Sequence, residues 1–213
     1  MHLYLASTSP ARLATLRAAG VEPVLIASGV DEDAVAAAEP GLLDGPALVE
    51  LLARAKAEAV TGSLIDDEPI DGFILGGDSA FELDGELFGK PHKPEVATQR
   101  WRAQRGRTGV LHSGHWLIDH RGGVVRGAVG AVSSARVTFA ANISDAEIDA
   151  YVATGEPLKV AGAFTIDSLG AAFITSIDGD PHAVVGLSVS LVRQLLREFD
   201  AEWTDLWNME RPS

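Results

Sequence analysis

Three observations predict an α/β fold. Short apolar runs alternate with segments of helical periodicity, helix caps and glycine stops mark the junctions between them, and 46% of the 213 residues are hydrophobic, enough for one sizeable core or two intimate lobes. Leu3-Tyr4-Leu5-Ala6 is the first strand, ending at Ser7-Thr8-Ser9. Pro10 suits the first turn of a helix that buries Leu13 and Leu16 and stops at Gly20. Val24-Leu25-Ile26-Ala27 reads as a second strand, followed by three consecutive carboxylates, Asp31, Glu32 and Asp33.

The clearest helix spans residues 46–60, where Leu48, Leu51, Leu52, Ala55 and Ala59 recur at helical spacing. At ~100° per residue Lys56 falls about 40° from Leu52, at the edge of the apolar stripe, where its ammonium can snorkel into a cleft. Phe73-Ile74-Leu75 reads as a short buried strand ending in Gly76-Gly77-Asp78-Ser79, which puts an acid at a strand tip. Asp84-Gly85 between apolar flanks predicts a hairpin. A helix from Pro94 to Gly106 precedes two alternating strands near residues 110–119 and 124–140, joined across Arg121-Gly122-Gly123. Ser144 and Glu147 form a capping box, Ile143 and Ile148 a hydrophobic staple, and Gly155 a stop. A strand over residues 171–177 precedes the turn Asp178-Gly179-Asp180. Ser188 caps a last helix through Phe199, and a tail with Trp203 and Trp207 packs onto the body or a partner.

Composition narrows the function classes. A net charge of −13 opposes wrapping around duplex nucleic acid while leaving room for small anions in local basic pockets. The absence of cysteine removes disulfides, zinc knuckles, iron–sulfur clusters and thiol nucleophiles, and suggests a cytoplasmic protein. The N-terminus lacks a secretory signal pattern, and no apolar run approaches the roughly 18 residues of a membrane span, so no membrane partner is expected. There is no G-x-S-x-G elbow and no G-x-G-x-x-G fingerprint. Gly85 to Pro91 fails as a phosphate loop because only three residues separate its glycines and Pro91 follows Lys90. His112 and His115 lie three apart on a strand and face opposite ways.

Three groupings carry chemistry. The turn Ser7-Thr8-Ser9-Pro10-Ala11-Arg12 combines hydroxyls, a helix N-terminus and a guanidinium in the first turn, suited to an anion. Asp31, Glu32, Asp33 and Asp78 supply hard oxygen ligands suited to Mg²⁺ or Mn²⁺, with Gly76-Gly77 allowing a ligand close approach. Lys90 opens a basic segment, Lys90, Lys93, Arg100, Arg102, Arg105 and Arg107, opposed only by Glu95. The Gly/Ala-rich stretch from Val160 to Phe164 would let a base or sugar approach the backbone.

Taken in order, Leu5-Ala6-Ser7-Thr8-Ser9-Pro10-Ala11-Arg12, Val30-Asp31-Glu32, Lys56, Gly77-Asp78-Ser79, Gly89-Lys90-Pro91, Ala161-Gly162-Ala163-Phe164 through Leu169-Gly170-Ala171, and His182-Ala183-Val184-Val185-Gly186-Leu187 resemble the Maf family over about residues 3–199. The resemblance implies a two-lobed, inosine-triphosphatase-like fold around a curved mixed sheet, with residues 1–200 as one catalytic domain and 201–213 as a tail. It implies a homodimer that hydrolyses nucleoside triphosphates to monophosphate and pyrophosphate with a divalent metal, Mg²⁺ or Mn²⁺. Asp78 would be the proton acceptor, Glu32 and Asp78 would hold the metal, and Ser7, Arg12, Lys56 and Lys90 would surround the triphosphate. Arg12, Ser79 and Asp167 fall at positions linked to base choice. Ala11 replaces one of two arginines common there, Ser79 stands where threonine is frequent, and Asp167 where the pyrimidine-preferring subgroup has glutamine. An ionised aspartate accepts but cannot donate hydrogen bonds, so the base stays open. The alternative is a nucleotide-binding regulator of septum formation and cell division with little turnover.

Overall fold

The computed structural model, described here over residues 1–208, contains in order β1 (Leu3–Ala6), α1 (Pro10–Ala18), β2 (Val24–Leu25), α2 (Glu32–Ala38), α3 (Gly45–Glu58), β3 (Leu64–Ile65), β4 (Glu68–Pro69), β5 (Phe73–Leu83), β6 (Glu86–Phe88), α4 (Pro94–Gln104), β7 (Thr108–Asp119), β8 (Gly127–Phe139), α5 (Asp145–Ala153), β9 (Ile174–Asp178), α6 (Pro181–Val185) and α7 (Val189–Arg197). Seven strands make one mixed sheet in the order β2-β1-β5-β7-β8-β9, with β6 also on β5. β1 runs parallel to β2 and β5, and every other pairing in this sheet is antiparallel. Helices flank it, as an α/β chain requires to bury both faces.

β5 decides the architecture. Along one edge β7 pairs with it from Phe73 to Glu82. Along the other, β1 pairs with Phe73–Gly76 and β6 with Phe81–Leu83. Residues 77–80 therefore have no strand on that edge among the described residues, and the sheet splits there. The expected short strand with Asp78 at its tip is thus corrected: Asp78 lies in mid-strand, because the continuous β7 ladder carries the chain straight through Gly76-Gly77. The Asp84-Gly85 turn closes the β5–β6 hairpin, with φ of 55° and 81°, both in the left-handed region that a two-residue hairpin turn demands.

Two apolar clusters lie at the two ends of the long strands. One gathers Phe81, Trp101, Phe139, Tyr151 and Phe164 in edge-to-face contacts, and Trp101 Nε1 donates to the Ala163 carbonyl at 2.7 Å. The other joins Leu5, Leu16, Leu75, Leu117, Leu187 and Leu195 with Trp203 and Leu206, while Trp207 Nε1 donates to the Ala19 carbonyl at 3.1 Å. A smaller third cluster, with Ile74, Ala57 and Ile118, lies under α3. Residues 209–213 of the expected tail lie outside the described residues. Among the described residues, no helix is long and apolar enough to cross a membrane.

The capping box is present as expected: Ser144 Oγ accepts from the Glu147 amide and Glu147 accepts from the Ser144 amide, with Ile143 and Ile148 buried in one cluster. Three further expectations change. The second strand is only Val24–Leu25, and β9 begins at Ile174 because residues 169–173 curl into a 3-10 turn. The buried face of α3 is Val49, Leu52, Ala53, Lys56 and Ala57, so Lys56 sits at its centre rather than its edge. Small residues face the sheet there because the helix lies unusually close to it. A Cβ on Gly76 would stand 2.0 Å from the Ala53 carbonyl oxygen, and one on Gly114 would stand 2.2 Å from that of Val49.

Candidate active site

The cleft opens where the sheet splits. Strand alternation sends Gly76 and Asp78 toward α3, and Gly77 and Ser79 toward Arg12 on the opposite face. Lys56, carried to the sheet by the close-lying α3, places its Nζ 2.6 Å from Asp78 Oδ1 and 2.6 Å from Glu32 Oε1. Lys56 and Asp78 are buried, whereas Glu32 is half-buried at the start of α2. Burial pushes the Asp78 carboxyl above its ordinary range, against the opposing pull of the Lys56 and Arg12 charges. For Glu32 desolvation is again the largest single influence, but the Lys56 hydrogen bond and the charges of Lys56, Lys90 and Arg12 together outweigh it, and its carboxyl titrates low. The pair is therefore differentiated: Glu32 ionises readily and Asp78 holds a proton more tightly.

Beneath β5, Arg12 is fixed by three bonds. Its Nε donates to the Gly186 carbonyl at 2.8 Å, Nη1 to Ser7 Oγ at 3.1 Å and Nη2 to Ser79 Oγ at 3.1 Å. Ser79 Oγ lies 2.9 Å from Ser113 Oγ, which donates to the Ala183 carbonyl at 2.7 Å. Burial lowers the Arg12 pKa, with Asp78 and Glu32 pulling the other way, yet a guanidinium stays charged at any working pH. Two of its five N–H groups are left for an anion.

Ser7, Arg12, Glu32, Lys56, Asp78, Ser79, Lys90 and Asp167 all line one cleft of about 460 Å³. Other expectations are redistributed. Asp31 caps α2, accepting from the Ala34 amide at 3.0 Å, and neither it nor Asp33 lines the cleft. Of the basic segment only Lys90 does so: Arg100 donates to the Gly89 carbonyl at 2.6 Å, just before Lys90, Arg105 binds Asp145, and Arg107 binds Asp84. Gly76 and Gly77 admit α3 and Arg12 rather than a ligand, since a Cβ on Gly77 would meet Arg12 Nε at 3.1 Å. Gly162, with φ of 70°, is filled from the core side by Phe81 and Phe164. His112 and His115 do diverge, His112 to Glu82 and Ser134, His115 to the Ser188 amide.

Sequence reasoning missed Lys159, Ser113 and Thr165, and named Gly186 only as part of the family motif, with no role. Ser113 is Ser79's direct neighbour across the β5–β7 ladder, a relation that only register reveals. Lys159 sits in a short turn just before the Gly/Ala-rich stretch, where a cation among small residues was a usable signal.

Among the described residues no group of three or more metal-ligating side chains comes together. Glu32 and Asp78 nonetheless point their carboxylates at one cationic point, now the Lys56 ammonium. Two hard oxygen donors fit Mg²⁺ or Mn²⁺, which commonly takes one or two carboxylates and completes its shell with phosphate oxygens and water.

Arg12, Lys56, Lys90 and Lys159 line one cleft with the buried carboxylate of Asp78, at a split in the mixed sheet of an α/β protein. Residues 2–199 match the family described as Maf-like protein. A nucleoside triphosphate pyrophosphatase of Leifsonia xyli subsp. xyli is 67% identical over 98% of this chain and 97% of its own. Proteins of the same name from Cutibacterium acnes and Salinispora tropica are 50% and 51% identical, over 96% and 98% of this chain and 93% and 88% of theirs. A solved nucleoside-triphosphatase, or dITP/XTP pyrophosphatase, of Mycobacterium abscessus aligns with 81% of this chain and 93% of its own at 16% identity, with a TM-score of 0.34. The chain belongs to the Maf family.

Proposed function

We propose that this protein is a nucleoside triphosphate pyrophosphatase, cutting between the α- and β-phosphates to release a nucleoside monophosphate and pyrophosphate. The observation that carries the reading is the buried Asp78–Lys56–Glu32 group in a cleft that Arg12 and Lys90 also line. The name borne by its relatives agrees with it. A protein that only held triphosphate would gain from the cations and lose from a buried carboxylate beside the polyanion, which disfavours the regulator alternative.

In this reading a water attacks the α-phosphorus in line, its oxygen bonding to phosphorus as the α–β bridging bond breaks and pyrophosphate leaves with the bonding electrons. Asp78, whose carboxyl already titrates high, orients that water and accepts its proton. Lys56, Lys90 and Arg12 face the charge that grows on the phosphate oxygens and the leaving group, and Arg12 costs little reorganisation because three bonds already hold it. Glu32 and Asp78 would hold Mg²⁺ or Mn²⁺, which when bound withdraws charge from the phosphate oxygens. Ser79 and Asp167 stand where they can bias base choice. A cytoplasmic homodimer completes the reading; the cysteine-free composition supports the compartment, and light scattering checks the dimer.

The test is a product assay with purified protein, Mg²⁺ or Mn²⁺ and a panel of ribo-, deoxyribo- and modified nucleoside triphosphates, with Asp78→Asn alongside. Monophosphate plus pyrophosphate, reduced about a hundredfold or more in the folded variant, is the expected outcome. Diphosphate plus phosphate, or saturable binding without turnover, overturns it.

A further inference from the structure

One carboxylate outside the cleft gathers more donors than any residue inside it. Glu156 Oε1 accepts from Tyr151 Oη at 2.8 Å, Thr165 Oγ1 at 2.5 Å and the Gly170 amide at 3.1 Å; Oε2 accepts from Ser168 Oγ at 2.7 Å and the Leu169 amide at 3.3 Å. The loop is drawn tightly around it: a Cβ on Gly170 would stand 2.6 Å from Tyr151 Oη and 2.7 Å from the Thr165 carbonyl oxygen. Loops commonly run over the surface and are more mobile than the elements they connect. Here two hydroxyls and two amides from residues 165–170 converge on a single anchor three residues beyond the end of α5.

Both segments tied by this anchor reach the cleft. Glu156 begins the turn that delivers Lys159 and Val160, and the loop it holds supplies Thr165, Ile166 and Asp167, all of which line the cavity, whereas Glu156 does not. The chemical group, Asp78, Lys56 and Glu32, comes from β5, α3 and α2 on other elements. The wall of residues 159–167 and the reacting group are thus held by separate bonds.

We propose that Glu156 is a positioning residue for substrate selection: it fixes the wall formed by residues 159–160 and 165–167, and through that wall sets how tightly and how selectively the nucleoside end is bound, without touching substrate. This rests on the nucleoside triphosphate reading above. Glu156→Gln keeps the shape but sets an amide N–H₂ against some of the five donors, so the loop loses its single arrangement. Ser168→Ala removes one donor and leaves every cleft-lining side chain in place.

The experiment measures kcat and KM for the full chain and both variants on one panel of nucleoside triphosphates, with melting temperature as a check of folding. Glu156→Gln should raise KM for the best substrate on the order of 10- to 100-fold and compress the ranking of bases, with kcat at saturation within a few-fold of the parent. Ser168→Ala should move the same quantities in the same direction by less. A folded Glu156→Gln protein with unchanged KM values and ranking overturns the proposal, as does a fall in kcat at constant KM. If Glu156→Gln does not fold, Ser168→Ala decides by the same readings. If the parent itself turns nothing over, the proposed reaction fails rather than this one, and calorimetric Kd rankings of the same nucleotides with both proteins decide for Glu156 alone.

Discussion

Gly76→Ala tests how the fold positions the site, although the glycine is buried against the backbone of α3. The added methyl would lie 2.0 Å from the Ala53 carbonyl oxygen and 2.9 Å from Ala57 Cβ, whereas such contacts essentially never fall below 3.0 Å. The obstacle is helix backbone, so α3 has to retreat from β5 by about 1 Å, carrying Lys56 with it. The Lys56 bonds to Asp78 and Glu32, both 2.6 Å, would then stretch toward about 3.6 Å, beyond hydrogen-bond range. Overpacking of this kind costs about 1–3 kcal/mol, and in a chain of this size each kcal/mol lowers Tm by roughly 2–4 °C. A displacement of about 1 Å in the catalytic constellation costs on the order of a hundredfold in rate. Thermal melts and steady-state pyrophosphate release measure the two effects on one sample. Gly62→Ala, at a position with open space around it, serves as the control and should change neither. A Gly76→Ala protein with parental Tm and parental turnover would refute the claim that helix–sheet proximity sets the Lys56 position.

Lys90→Ala should raise KM for triphosphates about tenfold while leaving Tm unchanged, because Lys90 lines the cleft with an exposed side chain; an unaltered kcat/KM removes it from substrate binding. Asp167→Gln exchanges an acceptor-only group for one that also donates, and should reorder the bases in a competition assay, with an identical order detaching the position from recognition. Acid should destabilise the protein in two windows. His115 is buried neutral with its pKa lowered to about 4 by burial, then by the Arg12 charge, so its contribution is full above the ordinary 6.5 and is lost as pH falls from there through about 4. Glu156 titrates near 2, its hydrogen bonds outweighing desolvation, so its contribution is present above the ordinary 4.5 and lost between that pH and about 2. A pH series of melts should show both losses, and Glu156→Gln should make only the lower one shallower, because Glu32, Asp119 and Asp180 are also held low and still titrate there; an unchanged lower window would refute that assignment.

How much was legible beforehand depended on the range of the interaction. The capping box at Ser144, the Asp84-Gly85 hairpin and the Pro10 helix start are written within a few residues and appear as expected. The members of the cleft were also legible, since family resemblance and residue chemistry named eight side chains that the fold brings to one cavity. The orientation of α3 was not, because the leucines at 48 and 51 outweigh alanines in any hydrophobic count, while the sheet beneath offers glycines that only small residues can meet. Asp78 was misplaced for the same reason: a Gly-Gly pair reads as a strand end until β7 is known to pair along its whole length. The three-element clamp on Arg12 joins Ser7, Ser79 and Gly186, and no local pattern announces a contact across 174 residues.

β5, β7 and β8 run for 11, 12 and 13 residues without a break, each contributing side chains to both large apolar clusters. Two lobes tied by a linker can swing like the covers of a book. Lobes threaded on three shared, hydrogen-bonded spines resist that motion, because a swing would strain ladder bonds at the very residues that flank Asp78. The cleft's rim is formed by residues 27–30 on one side and, on the other, by residues 159–167, which Glu156 ties down.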